Sequence, residues 1–268
     1  MLAAHPTASR HRQEDGQGFD GTMRSGPAGA RKRPWWARLL RRLVAAAAAL
    51  AVLGVAVLGV AWVVTPGVGD ARERVTERLA AADATPLEGE LPDRVVAAVL
   101  ATEDSHFEHH IGVDWRGALR APIGAVTGED LGGSTLDQQL AKNVYEDGEA
   151  GVLDRVSAVV LALKLDAAWS KEDLLRMYLD DAYLGHGFTG VVDAAQGYFG
   201  LAPGELSWAQ ASLLAGLLQA PSAYDPLVHP ERAAARQAHV LDRLVDVGEL
   251  TRAEADDVAA EDWALVGG

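Results

Sequence analysis

The sequence predicts an all-α protein: a globular helical domain over residues 91–265, preceded by a single transmembrane helix over 43–64. Three observations predict it. Apolar residues recur at three- and four-residue spacing in Val95–Leu100, Val152–Leu165, Leu174–Leu184 and Leu206–Leu218, the period of helices with one face in a core. Alternating apolar–polar runs, the mark of half-buried strands, are scarce. Leu43–Val64 holds no charged residue, and 22 residues at ~1.5 Å each span ~33 Å, enough to cross a bilayer core.

Taken in order, residues 1–42 read as a basic cytoplasmic tail. Residues 1–34 are rich in Gly, Ser, His, Arg and Pro and poor in apolar side chains, which predicts disorder. The run 43–64 is too long and too free of charge for an ordinary buried helix. Arg31, Lys32, Arg33, Arg38, Arg41 and Arg42 precede it, and Asp70 and Glu73 follow it. The excess of positive charge places the tail inside and the remainder outside, with Trp35, Trp36 and Trp62 at the interfaces. A cleaved signal peptide fits less well, because the run is long for one and no small-x-small cleavage site follows. Residues 65–90 read as a stalk: Thr65-Pro66-Gly67 breaks the membrane helix, Asp70–Ala82 can form a short charged helix, and Thr85-Pro86 ends it.

In the domain, Leu91-Pro92-Asp93 and Ser170-Lys171-Glu172-Asp173 have the form of helix starts. Gly185, Gly187 and Gly190 mark a loop, and two later helices are expected near Pro230–Val247 and Thr251–Ala260. No internal repeat is present.

The net charge of −14 conceals a split. Residues 1–42 carry +6, and residues 43–268 carry −20. An acidic main domain argues against nucleic-acid binding, which needs clustered Lys and Arg on the phosphates. The chain has no cysteine, so no disulfide framework and no thiolate metal site is possible.

Two stretches are dense in reactive side chains. Glu103-Asp104-Ser105-His106-Phe107-Glu108-His109-His110 follows the apolar run Val95–Leu100. A carboxyl group shielded at the exit of a buried helix tends toward a raised pKa and can exchange protons near neutral pH. Taken alone, a Glu-Asp pair there is more often a plain helix end. His106, His109 and His110 do not have zinc-site spacing and read as solvated or packing residues, so no metal ligand is assigned. In the second stretch, Gly132-Gly133-Ser134-Thr135 reads as a loop entering a helix, whose free N–H groups favour anions. Ser134 is also a natural N-cap. Gln138, Gln139, Lys142 and Asn143 then fall on adjacent turns, with Gln138 and Lys142 on one face.

These stretches resemble the signature of the peptidoglycan glycosyltransferases, glycosyltransferase family 51, which read E-D-x-x-F-x-x-H and G-G-S-T-x-x-Q-Q-L-x-K-N. The similarity runs over residues 90–245. Tyr183, Gly185, Gly187 and Gly190, then Ala194-Ala195, Tyr198-Phe199-Gly200 and Leu213–Pro221, agree with further family blocks. The resemblance implies a lysozyme-like helical fold and an enzyme that polymerises lipid II into glycan strands on an undecaprenyl-pyrophosphate carrier. This would take place at the outer face of the cytoplasmic membrane.

By the same resemblance Glu103 is the general base, taking the proton of the acceptor sugar's 4-hydroxyl. Asp104, Arg120, Ser134, Thr135, Gln138, Gln139, Lys142, Asn143, Arg155 and Arg176 are candidates for binding substrate. The segment Gly117–Leu131 would be either a membrane-dipping element or a simple connection. No serine is followed by Lys three residues on, so the expected form is monofunctional, without a transpeptidase domain. The expected partners are lipid II, the lipid-linked glycan, the membrane and cell-wall synthases.

Two departures matter. Asp154 and Arg155 stand where the family has an Arg-Lys pair, and Ala158 stands where it has Glu. In Ser170–Asp180, similar to S-K-x-x-I-L-E-x-Y-L-N, Arg176 takes the position read as the second catalytic Glu, and Asp180 replaces Asn. An Arg cannot ligate a cation. A divalent cation, Mg or Mn, is therefore left as an open cofactor with little support. Either Arg176 neutralises the leaving pyrophosphate directly, or the chain is a non-catalytic member that binds lipid II or a cell-wall synthase. A lysozyme-like glycan hydrolase, with Asp104, Asp114 or Asp180 as the second carboxylate, is a third alternative.

Overall fold

The structure is a computed structural model that describes residues 35–115, 117, 134–145 and 152–266. The chain divides into two units between Ala51 and Val52, inside helix α1 (Trp35–Val64). None of the residues of α1 is buried, and it is long and apolar enough to cross a membrane. It begins eight residues before the uncharged run, so Arg38, Arg41 and Arg42 are helical.

Among the described residues, the second unit holds the remaining α-helices: α2 (Ala71–Ala81), α3 (Asp93–Glu103), α4 (Leu136–Tyr145), α5 (Val152–Ala168), α6 (Lys171–Asp181), α7 (Val191–Phe199), α8 (Trp208–Leu217), α9 (Pro230–Val247) and α10 (Arg252–Ala260). Among the described residues there is no strand; an isolated antiparallel bridge pairs Tyr183 with Thr189. The all-α expectation holds.

The core has a central rod. Every residue of α8 from Ala209 to Leu217 is buried, as befits a helix that is apolar nearly all round. It packs against α3 and α9, which also pack on each other. A second group forms where α4 packs on α5 and α6. Large side chains from both groups, among them Leu136, Leu140, Leu165, Leu174, Met177, Leu213 and Leu217, are fully buried. The C-terminal end of α3 meets the second group, and that junction carries the site.

The helix starts obey capping chemistry. Ser170 accepts from the Asp173 N–H, Ser207 and Gln210 form a capping box, and so do Thr251 and Glu254. Helix α3 begins directly after Pro92.

Residues 65–90 do more than bridge. Val68, Ala71, Val75, Leu79 and Leu87 are buried in the core, and α2 packs on α6. Ion pairs Arg72–Asp173 and Arg78–Asp181 fasten it. The Trp169 indole N–H donates to the Val68 carbonyl at 2.9 Å, and Tyr145 donates to Asp70 at 2.8 Å. The charged helix expected there forms, but its apolar stripe at i, i+4, i+8 is spent on the domain, where a free stalk would leave it in water. At the exit of α1, the Lys164 ammonium donates to the Thr65 carbonyl and hydroxyl, both at 2.9 Å, and to the Pro66 carbonyl at 3.0 Å. It thereby satisfies carbonyls that a helix end leaves open.

Candidate active site

Glu103 is the last residue of α3. Its side chain is 14 % exposed, so the carboxylate is shielded but reachable. The Gln139 amide donates to its Oε2 at 2.9 Å, and the Tyr178 hydroxyl donates to Gln139 Oε1 at 3.0 Å. This chain runs from α6 through α4 to α3. Burial pushes the Tyr178 phenol well above its usual range, and the negative charge of Glu103 pushes it further. Tyr178 therefore stays protonated and donates to the Gln139 oxygen, which turns the Gln139 NH₂ toward Glu103. On the other side, the Arg236 guanidinium of α9 lies 3.8 Å from Glu103 Oε1.

Asp104 faces inward. Its Oδ2 accepts from the Leu136 N–H at 3.0 Å and from His110 Nε2 at 2.8 Å, and the residue is buried. The first contact satisfies an N–H at the start of α4 and ties the two motif segments together. Asp104 was expected among the substrate contacts; its Oδ2 serves the frame of the site. His110 Nδ1 accepts from the Gly112 N–H at 3.1 Å, so the neutral ring carries its proton on Nε2 and donates it to Asp104. Gly112 has φ +87°, and a Cβ there would lie 2.4 Å from the Ala162 carbonyl oxygen. Only glycine lets this loop lie against α5.

The cap of α4 is Thr135, one residue after the expected Ser134. Its Oγ1 accepts from the Gln138 N–H at 3.2 Å while Gln138 Oε1 accepts from the Thr135 N–H at 3.0 Å, a reciprocal capping box. The Thr135 hydroxyl donates to the Gly112 carbonyl at 2.7 Å and is buried. Thr135 and Gln138 thus hold the helix start, and Ser134 remains exposed beside them. Lys142 and Asn143 are exposed on α4, and Arg155 is exposed on α5. Arg120, Gly132 and Gly133 lie outside the described residues.

Arg176 is engaged away from Tyr178 and Glu103. Its Nη1 donates to the Leu87 carbonyl at 3.0 Å, and its Nη2 lies 3.2 Å from Glu172. Two residues on a helix are about 200° apart, so Arg176 and the cleft-facing Tyr178 lie on opposite sides of α6.

Asp137, Lys171, Tyr178 and Arg236 were not picked out in the sequence, although each borders this site. Asp137 sits on the buried face of α4 with Leu136, Leu140 and Ala141. Lys171 lies 3.6 Å from its Oδ2, 2.6 Å from Asp166 and over the Phe107 ring. Burial pushes the Asp137 carboxyl up to about 6, against the pull of Lys171. The legible signal was an acid and a base at core-face positions of helices. Arg236 gave the same sign, because it falls in register with buried Ala233, Gln237, Val240 and Leu244.

Among the described residues, Asp104, His110 and Asp137 form one group close enough to share a metal ion. The donors do not suit one. Both His110 nitrogens are engaged, and a lysine ammonium already stands beside Asp137. Mg and Mn prefer an oxygen shell that retains water, whereas the side chains of this group are at most 4 % exposed.

A half-buried carboxylate on a helix end, oriented by an amide and flanked by an arginine, defines a helical acid–base site. The comparisons agree with that class. The transglycosylase family profile matches residues 73–245, and the chain belongs to that family, glycosyltransferase family 51. It is 40% identical over 175 residues to penicillin-binding protein 1A of Neisseria flavescens, covering 65% of this chain and 22% of that protein. It is 35% identical over 178 residues to a Cupriavidus necator protein provisionally named a transglycosylase, covering 66% of this chain and 77% of that one. The crystal structure of penicillin-binding protein 1A from Haemophilus influenzae aligns with TM-score 0.41 at 23% identity, over 68% of this chain and 18% of that one. The chain therefore spans about a fifth of the length of the penicillin-binding proteins that it matches.

Proposed function

We propose that the chain is a membrane-anchored peptidoglycan glycosyltransferase that uses lipid II, with Glu103 as its general base. The observation that carries this is the placement of Glu103: reachable, shielded, and held by Gln139 of the second motif segment. In the reaction Glu103 takes the proton of the acceptor's 4-hydroxyl. That oxygen bonds to the donor's anomeric carbon as the bond from this carbon to the pyrophosphate oxygen breaks. The electron pair leaves with the lipid pyrophosphate, and the carbon inverts. The departing charge needs cations; the exposed Lys142 and Arg155 are the described candidates, with Arg120 a third from the sequence.

Helix α1 would hold the domain at the outer face of the cytoplasmic membrane, with the basic tail inside. The non-catalytic alternative rests on the absence of the second Glu at position 176, and the attachment of Arg176 to Leu87 and Glu172 does not replace that carboxylate; polymerisation of lipid II separates the two readings. A hydrolase needs a second carboxylate; of the three candidates, Asp104 and Asp180 accept backbone N–H groups, and Asp114 lies 3.7 Å from His106. The test is polymerisation of purified lipid II by the full chain in detergent, read as glycan strands on a gel. Strand formation is expected. Release of soluble muropeptides from purified wall, without strands, would favour the hydrolase.

A further inference from the structure

Arg236 is a cation buried in the wall of the site. It is 9% exposed and stands on α9, more than ninety residues from either motif segment. A buried guanidinium is costly unless its N–H groups and its charge are matched. Here the match is divided: Nε donates to the Gly216 carbonyl of α8 at 3.4 Å, and Nη2 lies 3.8 Å from Glu103 Oε1. The seat is shaped for it. A Cβ on Gly216 would come within 3.2 Å of Arg236 Cγ, so the missing side chain lets the arginine lie flat along α8. Glycine in a helix interior is destabilising relative to alanine, a cost that this contact explains.

We infer that Arg236 is a positioning residue for Glu103: it fixes the carboxylate's Oε1 side while Gln139 fixes Oε2, and it keeps the shielded group ionised and ready to accept a proton. This rests on the reading of Glu103 as the base. Among the described groups that face Glu103 are Arg236 from α9, Gln139 from α4 with Tyr178 of α6 behind it, and Asp104 next in sequence. Arg236 is the cation of this set. At under 4 Å in a shielded site, an arginine lowers a carboxyl pKa by about one to three units. Its removal should therefore raise the pH at which the base becomes ionised.

The experiment measures the pH dependence of kcat/KM for lipid II polymerisation with the full chain in detergent, together with thermal melting. The variants are Arg236→Gln, Arg236→Lys, Gly216→Ala and Glu103→Gln. Arg236→Gln should lower kcat at neutral pH by about tenfold or more, with KM for lipid II little changed. The acidic limb should move up by about one unit or more. Arg236→Lys should return the limb most of the way. Gly216→Ala improves helix propensity but crowds Arg236, and it should move the limb the same way by less. An unmoved limb in folded Arg236→Gln, or a loss seen only in KM, overturns the inference. If Arg236→Gln does not fold, Gly216→Ala decides by the same criterion. An active Glu103→Gln would instead remove the base assignment itself, which separates the two failures.

Discussion

Arg176 and Leu87 are joined side chain to backbone: the guanidinium donates to the Leu87 carbonyl at 3.0 Å. Asp180, one turn further along α6, accepts the Leu87 N–H at 2.7 Å. The two positions at which α6 departs from the family pattern thus grip both polar groups of one buried backbone residue. They form one structural clamp holding the segment before α3 against α6.

Arg176→Glu is therefore expected to destabilise the domain by about 1–3 kcal/mol, because it strands the Leu87 carbonyl and sets two carboxylates four residues apart. It is not expected to raise polymerase activity. Asp180→Asn keeps an acceptor and should cost less than about 1 kcal/mol, whereas Asp180→Ala should cost about 1–3 kcal/mol. Thermal melts of the three variants check the ranking. An activity gain in Arg176→Glu would contradict the clamp.

Asp137 gives a pH prediction. Its folded-state pKa of about 6 stands above the usual 3.8, chiefly through burial. An acid with a raised folded pKa binds more protons folded than unfolded, so its contribution to stability falls as pH rises from about 4 to 6 and stays low above that. Asp137→Asn removes this slope. Relative to the natural chain, the variant should gain stability between pH 4 and 7, by up to about 3 kcal/mol. Melting curves at a series of pH values measure it; a difference that is flat in pH would refute it.

The reciprocal bonds of Thr135 and Gln138 predict a local effect. Thr135→Val keeps the shape but loses the cap and the donor to Gly112, and should cost about 1–2 kcal/mol. Ser134→Ala, one residue earlier, should cost little. Hydrogen exchange at the first turn of α4 distinguishes them: protection should fall in the first variant and hold in the second.

Much of this was legible in the sequence. Helical periodicity located α3, α5, α6 and α8 but not α7, the Ser170 cap lay where its chemistry required, and Glu103 and Gln139 fell in motifs whose residue types announced proton and hydrogen-bond chemistry. What escaped was long-range. Whether Asp104 met substrate or the Leu136 N–H depended on a contact across 32 positions, and the fate of Arg176 depended on one across 89. Local spacing fixes the face of a helix but not what that face meets. Arg236 shows the limit: its register marked a cation on a core face, and nothing nearby in the sequence indicated that the neighbour would be Glu103.

The most direct measurement is the lipid II polymerisation rate of Glu103→Gln. The amide preserves the side chain's size and an oxygen for the Gln139 donor, so the fold and the hydrogen bond should survive while the proton acceptor is lost. The account predicts a fall in kcat of about a hundredfold or more in a variant that still folds, with a lowered melting temperature because Arg236 loses its counter-charge. A folded variant that polymerises within about threefold of the natural rate would contradict Glu103 as the base.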